Sequence, residues 1–196
     1  GVKFKQLSAL ARNADIAGFE WMEGIPGNLG GGLRMNAGAM GVQTFDQIVR
    51  VRYCDQDGNI FVKTPKEMDI HYRNVPTLRQ NYALSAVMRG HAGSKSAIDT
   101  VIAQSMAKRR QSQPVAASAG CIFKNPENIP AGKLIEELGF KSFAVGSARV
   151  SDIHGNFIVN DGGATAKDVL TLIHEIQIAA ERDRGISLET EVQIVG

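Results

Sequence analysis

Between Gly24 and Gly41 the chain reads GIPGNLGGGLRMNAGAMG, with seven glycines in eighteen residues. Each glycine costs roughly 1 kcal/mol of helix propensity and weakens a strand, so this density predicts a loop. Such a loop can take positive φ or let another group touch its main chain. Consecutive N–H groups within it form a concavity suited to anions. Asn28, Arg34 and Asn36 are its polar handles. The chemistry that fits is the seating of a large, flat or phosphorylated ligand; the ordinary alternative is a glycine-rich surface turn. Two familiar phosphate signatures are excluded. A P-loop needs Lys and then Ser or Thr after its last glycine, but Leu33 and Arg34 follow Gly32. The spacing Gly24-x-x-Gly27-x-x-Gly30, after only the short Phe19–Met22, matches the dinucleotide fingerprint poorly.

Other reactive side chains are sparse. Cys54 and Cys121 are too few for a disulfide scaffold and point to a reducing compartment. His71, His91, His154 and His174 lack metal-ligand spacing with either cysteine, so no metal site is expected. Lys108-Arg109-Arg110 ends a helical pattern, where its charge complements the helix dipole. A net charge of +2, without a basic face carrying aromatics, argues against a nucleic-acid partner. No apolar run approaches the roughly 20 residues that cross a bilayer, and no signal peptide opens the chain; the expected location is cytoplasmic. With 43% hydrophobic and 21% charged residues in 196, the composition is globular and sufficient for one or two domains.

The elements that must hold these groups follow from periodicity. Phe4–Ala17 reads as a helix stopped by Gly18. Gln47–Lys63 reads as a hairpin turning at Asp57-Gly58, and Ala83–Met88 as a strand. Ser96–Arg110 and Ala131–Leu138 read as helices, and Val145–Ser151 and Asn156–Asn160 as strands across the His154-Gly155 turn, which His154 and Asn156 could fix. Thr165-Ala166-Lys167-Asp168 resembles a capping box opening a helix to Arg184, closed by Gly185. Leu188–Val195 reads as a final strand, whose alternation puts Glu189 and Glu191 on one face without choosing between them.

Six pieces in order, spanning nearly the whole chain, resemble the MurB family of UDP-N-acetylenolpyruvoylglucosamine reductases. They are GIPGNLGGGLRMNAGAMG at Gly24–Gly41, HYRN at His71–Asn74, SAGCIFKNP at Ser118–Pro126, AGKLIEELGFKSF at Ala131–Phe143, ARVSDIHGNFIVNDGGATAKDV at Ala148–Val169 and LETEV at Leu188–Val192. The resemblance implies a flavin-dependent oxidoreductase of peptidoglycan precursor synthesis. NADPH reduces bound FAD and departs, and the enolpyruvyl ether of UDP-N-acetylglucosamine takes its place. Hydride goes to the terminal carbon of the double bond, and protonation of the resulting enolate gives UDP-N-acetylmuramate. The protein must hold the flat cofactor, stabilise the enolate and supply one proton.

Residue roles carry over position by position. Gly24, Ile25, Pro26, Gly27, Gly30, Gly31, Asn36, Ala37 and Gly38 match the cofactor-binding stretch. Arg73 matches the family's active-site arginine, whose planar fork suits a carboxylate gaining charge; the ordinary alternative is a surface arginine. The resemblance selects Glu191 as the catalytic glutamate. Cys121 stands where the family usually has the serine that protonates the enolate. A thiol, with an ordinary pKa of roughly 8.5, is a competent acid, though a neighbouring cation such as Lys124 or Arg73 would favour the thiolate; packing is the alternative role. Lys124 and Asn125 are expected to contact substrate phosphate or carboxylate, a task that suits a point charge and an amide, with loop-stabilising hydrogen bonds as the alternative; Tyr72 is a further substrate-binding candidate, with packing beside Arg73 as its alternative. Arg73, Cys121 and Glu191 are expected to converge on the exposed side of the flavin.

The expected fold is α+β: residues 1–84 as the second half of a two-part FAD-binding domain, and 85–196 as an α+β substrate-binding domain. The pieces look like the compact branch of the family, without an inserted tyrosine-bearing loop. No counterpart of the N-terminal FAD subdomain precedes Gly1, so the chain reads as a fragment that could self-associate through exposed apolar surface. The competing reading is a non-catalytic UDP-sugar-binding module that has lost flavin chemistry. Another flavin oxidoreductase would share the glycine stretch but leave Ser118–Pro126 and Leu188–Val192 unexplained.

Overall fold

A computed structural model describes residues 1–195 as an α+β chain in two compact units, Gly1–Arg109 and Arg110–Gly196. In chain order the first unit holds α1 (Phe4–Asn13), β1 (Ile16–Ala17), α2 (Leu29–Met35), β2 (Gly38–Ala39), β3 (Val42–Gln43), β4 (Ile48–Cys54), β5 (Ile60–Lys63), α3 (Pro76–Gln80), β6 (Tyr82–Met88), β7 (His91–Ala92) and most of α4 (Lys95–Ser112). The second holds β8 (Ser118–Cys121), α5 (Ala131–Glu137), β9 (Ala144–Val145), β10 (Ala148–Val150), β11 (Phe157–Asn160) and α6 (Ala166–Arg184).

The first unit is built around the antiparallel sheet β5-β4-β6. Alternation along β4 sends Val51 and Tyr53 into a core with Leu33, Phe45 and Leu78, and turns Arg50 and Arg52 outward. The expected hairpin forms, with Gly58 at φ 85° in its turn. The division expected after Leu84 would cut β6, which pairs with β4 across Tyr82–Met88. The compact units instead divide between Arg109 and Arg110, inside α4.

Two expectations are corrected. The glycine stretch is not wholly loop, because Leu29–Met35 forms α2. Tertiary packing overrides its poor propensity: Leu33 is buried, and a Cβ on Gly32 would lie 2.1 Å from Phe4 Cζ. Only glycine lets α1 approach α2 so closely. Leu188–Val195 makes no strand; its one ladder contact is an antiparallel bridge between Thr190 and Phe123.

The second unit is the antiparallel sheet β8-β11-β10-β9 with α5 and α6 on its apolar face. Leu134, Ile135, Leu172 and Ile176 from the helices meet Ile122, Val150 and Ile158 from the chain along the sheet. Thr165 caps α6 through Asp168 as its sequence predicts, and Gly185 ends it in the left-handed conformation, φ 62°.

Candidate functional site

In the first unit, the glycine stretch and the His71–Asn74 loop are tied together by Asn36. It ends α2 in the left-handed region, φ 43°, a conformation asparagine tolerates. Its buried amide donates from Nδ2 to Gln43 Oε1 at 3.0 Å and to the His71 carbonyl at 3.3 Å, and its Oδ1 accepts from Phe45 N–H at 3.1 Å. Val75 N–H reaches the Arg34 carbonyl at 3.2 Å. Between these anchors Arg73 takes φ 55°. Its Nη1 donates to the Asn36 carbonyl at 3.4 Å and its Nη2 to the Gly38 carbonyl at 3.2 Å, while the guanidinium lies 4.8 Å from the Tyr72 ring centroid. The structure thus brings Asn36, Gly38, Tyr72 and Arg73 into one cluster.

The glycines do different jobs within it. Gly32 yields to Phe4, and a Cβ on Gly38 would meet the Val42 carbonyl at 2.4 Å. Gly30 and Gly31 have no such neighbour and no positive φ, so nothing inside the unit requires glycine there. Asn28 and Arg34 stay exposed beside them. Gly24 faces Arg109: its Cβ would lie 3.0 Å from Arg109 Cδ. Arg109, in the last turn of α4, is thus both a helix-end charge and a side chain laid on the glycine stretch. The sequence shows its basic character; the contact, made across 85 positions, has no local signal.

In the second unit, Asn156 holds the SAGCIFKNP segment. It is buried, its Oδ1 accepts from Phe123 N–H at 2.9 Å, its Nδ2 donates to the Phe123 carbonyl at 2.8 Å, and its own carbonyl accepts from Ile122 N–H at 2.9 Å. The Ile122 carbonyl in turn accepts from Glu191 N–H at 2.7 Å. Glu191 is therefore anchored to the residue that follows Cys121, and the two catalytic candidates of this unit share one piece of backbone. Lys124 pairs with the Glu189 carboxylate. Asn125 Oδ1 accepts from Ala131 N–H at 3.0 Å, satisfying the first amide of α5, the loop-stabilising role.

A cleft of about 270 Å³ is lined by Cys121, Asn125, Glu136, His154 and Asn156, among others. Burial pushes the His154 imidazole below its ordinary value. Its Nδ1 accepts from Asn156 N–H at 3.1 Å, fixing the turn and leaving the proton of the neutral ring on Nε2. The cleft thus places a neutral imidazole, not a cation, near the thiol position. Among the described residues no group of three or more His, Cys, Asp or Glu side chains could hold a metal ion.

The sequence model of the UDP-N-acetylenolpyruvoylglucosamine reductase C-terminal domain matches residues 112–195. Proteins named UDP-N-acetylenolpyruvoylglucosamine reductase from Syntrophomonas wolfei subsp. wolfei and Bacillus velezensis are 40% and 38% identical over 198 and 199 residues, covering 100% of this chain and 66% of each relative. The crystal structure of UDP-N-acetylenolpyruvylglucosamine reductase (MurB) from Thermus caldophilus matches with a TM-score of 0.86 and 35% identity, over 97% of this chain and 68% of that one. The chain spans about two thirds of the length of the curated relatives it matches. On this evidence the chain belongs to the MurB family.

Proposed function

We propose that this chain serves, within the complete protein, in the reduction of UDP-N-acetylglucosamine enolpyruvate to UDP-N-acetylmuramate with FAD and NADPH. What supports it most directly is the joining of Glu191 to the backbone beside Cys121, an acid and a carboxylate held by one set of main-chain bonds. The first unit fits a flat cofactor. Gly30 and Gly31 present main chain where a side chain would meet only open space, so their lack of one is explained by a group lying outside. Gly24, Ile25, Pro26, Gly27, Gly30, Gly31, Asn36, Ala37 and Gly38 are the residues that would hold FAD. When bound, FAD carries the hydride from NADPH to the substrate. Gly1–Arg109 is then the cofactor-binding unit and Arg110–Gly196 the substrate-binding unit.

Each remaining role follows from side-chain chemistry. Arg73, oriented by the Asn36 and Gly38 carbonyls, stabilises the carboxylate as it gains charge. Cys121 breaks its S–H bond and gives the proton to the enolate carbon, leaving a thiolate. With His154 neutral, no imidazolium charge stands in the cleft to favour the thiolate before the proton is delivered. Glu191 orients the carboxylate end of the substrate, and Tyr72 and Asn125 line the substrate side.

The test is a Cys121→Ala and Cys121→Ser pair in the complete enzyme. Ala is expected to lower turnover by at least about 100-fold, the usual worth of a positioned acid, while NADPH still bleaches the flavin. Ser is expected to restore turnover. Undiminished turnover in Cys121→Ala, or a complete protein without flavin, would overturn the reading.

A further inference from the structure

We propose that Lys124 is a positioning residue: it grips Glu189 and so fixes the register that delivers Glu191, and not Glu189, beside Cys121. This rests on the roles given above to Cys121 and Glu191. Among the described residues the segment after α6 forms no helix or strand, so no regular element sets its register. Its sequence Leu188-Glu189-Thr190-Glu191 offers two carboxylates two residues apart. A two-residue slip along an extended pairing keeps the same face, and would exchange one glutamate for the other. Main-chain bonds are indifferent to such a slip. Lys124 N–H to the Glu189 carbonyl at 2.9 Å and Glu191 N–H to the Ile122 carbonyl at 2.7 Å would each find an equivalent partner.

Side chains must discriminate, and two of them do. Leu188 is buried in the core of the second unit, and the Lys124 ammonium takes the Glu189 carboxylate. The pair is asymmetric: the Lys124 side chain is 16% exposed and that of Glu189 72%. The Lys124 stem is therefore the more covered and constrained of the two, and its ammonium meets the carboxylate at the surface end of that stem. In the slip that would bring Glu189 to the position of Glu191, Ser187 would lie opposite Lys124, so the ion pair holds in the observed register and commits Glu189 to structure. On this proposal Lys124 serves Glu189 in place of the substrate contact expected from its charge.

The experiment uses the complete flavin-loaded enzyme. Lys124→Met and Glu189→Gln are each expected to lower kcat on the order of tenfold, the worth of a hydrogen bond to a charged group. KM for the UDP-sugar should stay near its starting value, and amide exchange of residues 189–192 should quicken in both. The reversal Lys124→Glu with Glu189→Lys should recover most of the lost kcat. Glu189 lies at the exposed end, so Glu189→Gln keeps the test decisive if the reversed pair fails to fold. A raised KM with intact kcat in Lys124→Met, or unchanged exchange in both single variants, would overturn the proposal. Should Glu191→Gln retain full turnover, the catalytic role of Glu191 fails. Exchange in Lys124→Met still reports on the clamp in that case.

Discussion

Gly30, Gly31 and Gly32 are neighbours of one residue type, yet their surroundings ask different things of them. Gly32 accommodates the Phe4 ring, whereas Gly31 faces open space. Gly32→Ala should lose roughly 1–3 kcal/mol of stability through overpacking, read as a lower midpoint in urea. Gly31→Ala should gain up to about 1 kcal/mol from helix propensity and, in the complete enzyme, hold FAD less tightly. Equal and small effects of the two substitutions on both measurements would refute this division. Asn156 is a second residue whose work is nonlocal. Its amide satisfies both main-chain groups of Phe123, 33 positions away. Asn156→Ala leaves a buried N–H and a buried carbonyl unpaired, at about 1–3 kcal/mol each. The expected outcome is a drop of a few kcal/mol in denaturation together with lost turnover, since the segment it holds carries Cys121.

Elements whose cause is local are those the sequence predicts. The β4–β5 hairpin follows from alternation and Asp57-Gly58, and α6 from the Thr165–Asp168 box and Gly185. Elements decided by distant partners were not legible. The three glycines of α2 read as loop because propensity counts only neighbours, while Phe4 and Leu33 supply the packing that makes them helical. Leu188–Val195 reads as a strand from its alternation, but only Thr190 finds a ladder partner. The site divides in the same way. Motif order singles out Arg73 and Cys121 without any geometry, whereas Arg109 over Gly24 and the Lys124–Glu189 ion pair exist only as contacts between distant segments. The domain boundary was displaced for a related reason: β6 looks like the start of something new, yet its hydrogen bonds belong to β4.

Across the whole chain, charge is nearly balanced at +2, and no helix among the described residues is long and apolar enough to cross a membrane. Its response to pH therefore comes from individual groups held away from their ordinary values. Asn59 holds Asp55 low, Thr64 holds Glu67 low, and Arg149 holds Asp161 low, each chiefly by side-chain hydrogen bonds; the Thr165 amide does the same for Asp168. Burial holds His154 low. All five shifts have one sign: the unfolded chain binds protons that the folded chain refuses, so stability rises with pH across each window. The His154 contribution is complete above its ordinary value of 6.5 and is lost as pH falls toward the lower folded value. The carboxylate contributions are complete above ordinary values of 3.8 to 4.5 and are lost below them. Melting temperature should therefore stay level above pH 6.5, decline gently as pH falls below that value and fall steeply below pH 4.5. His154→Gln should flatten the upper step and leave the lower one in place. A melting curve of that variant with the upper step intact would mean another group titrates there, and that the half-buried imidazole is not what the fold keeps neutral.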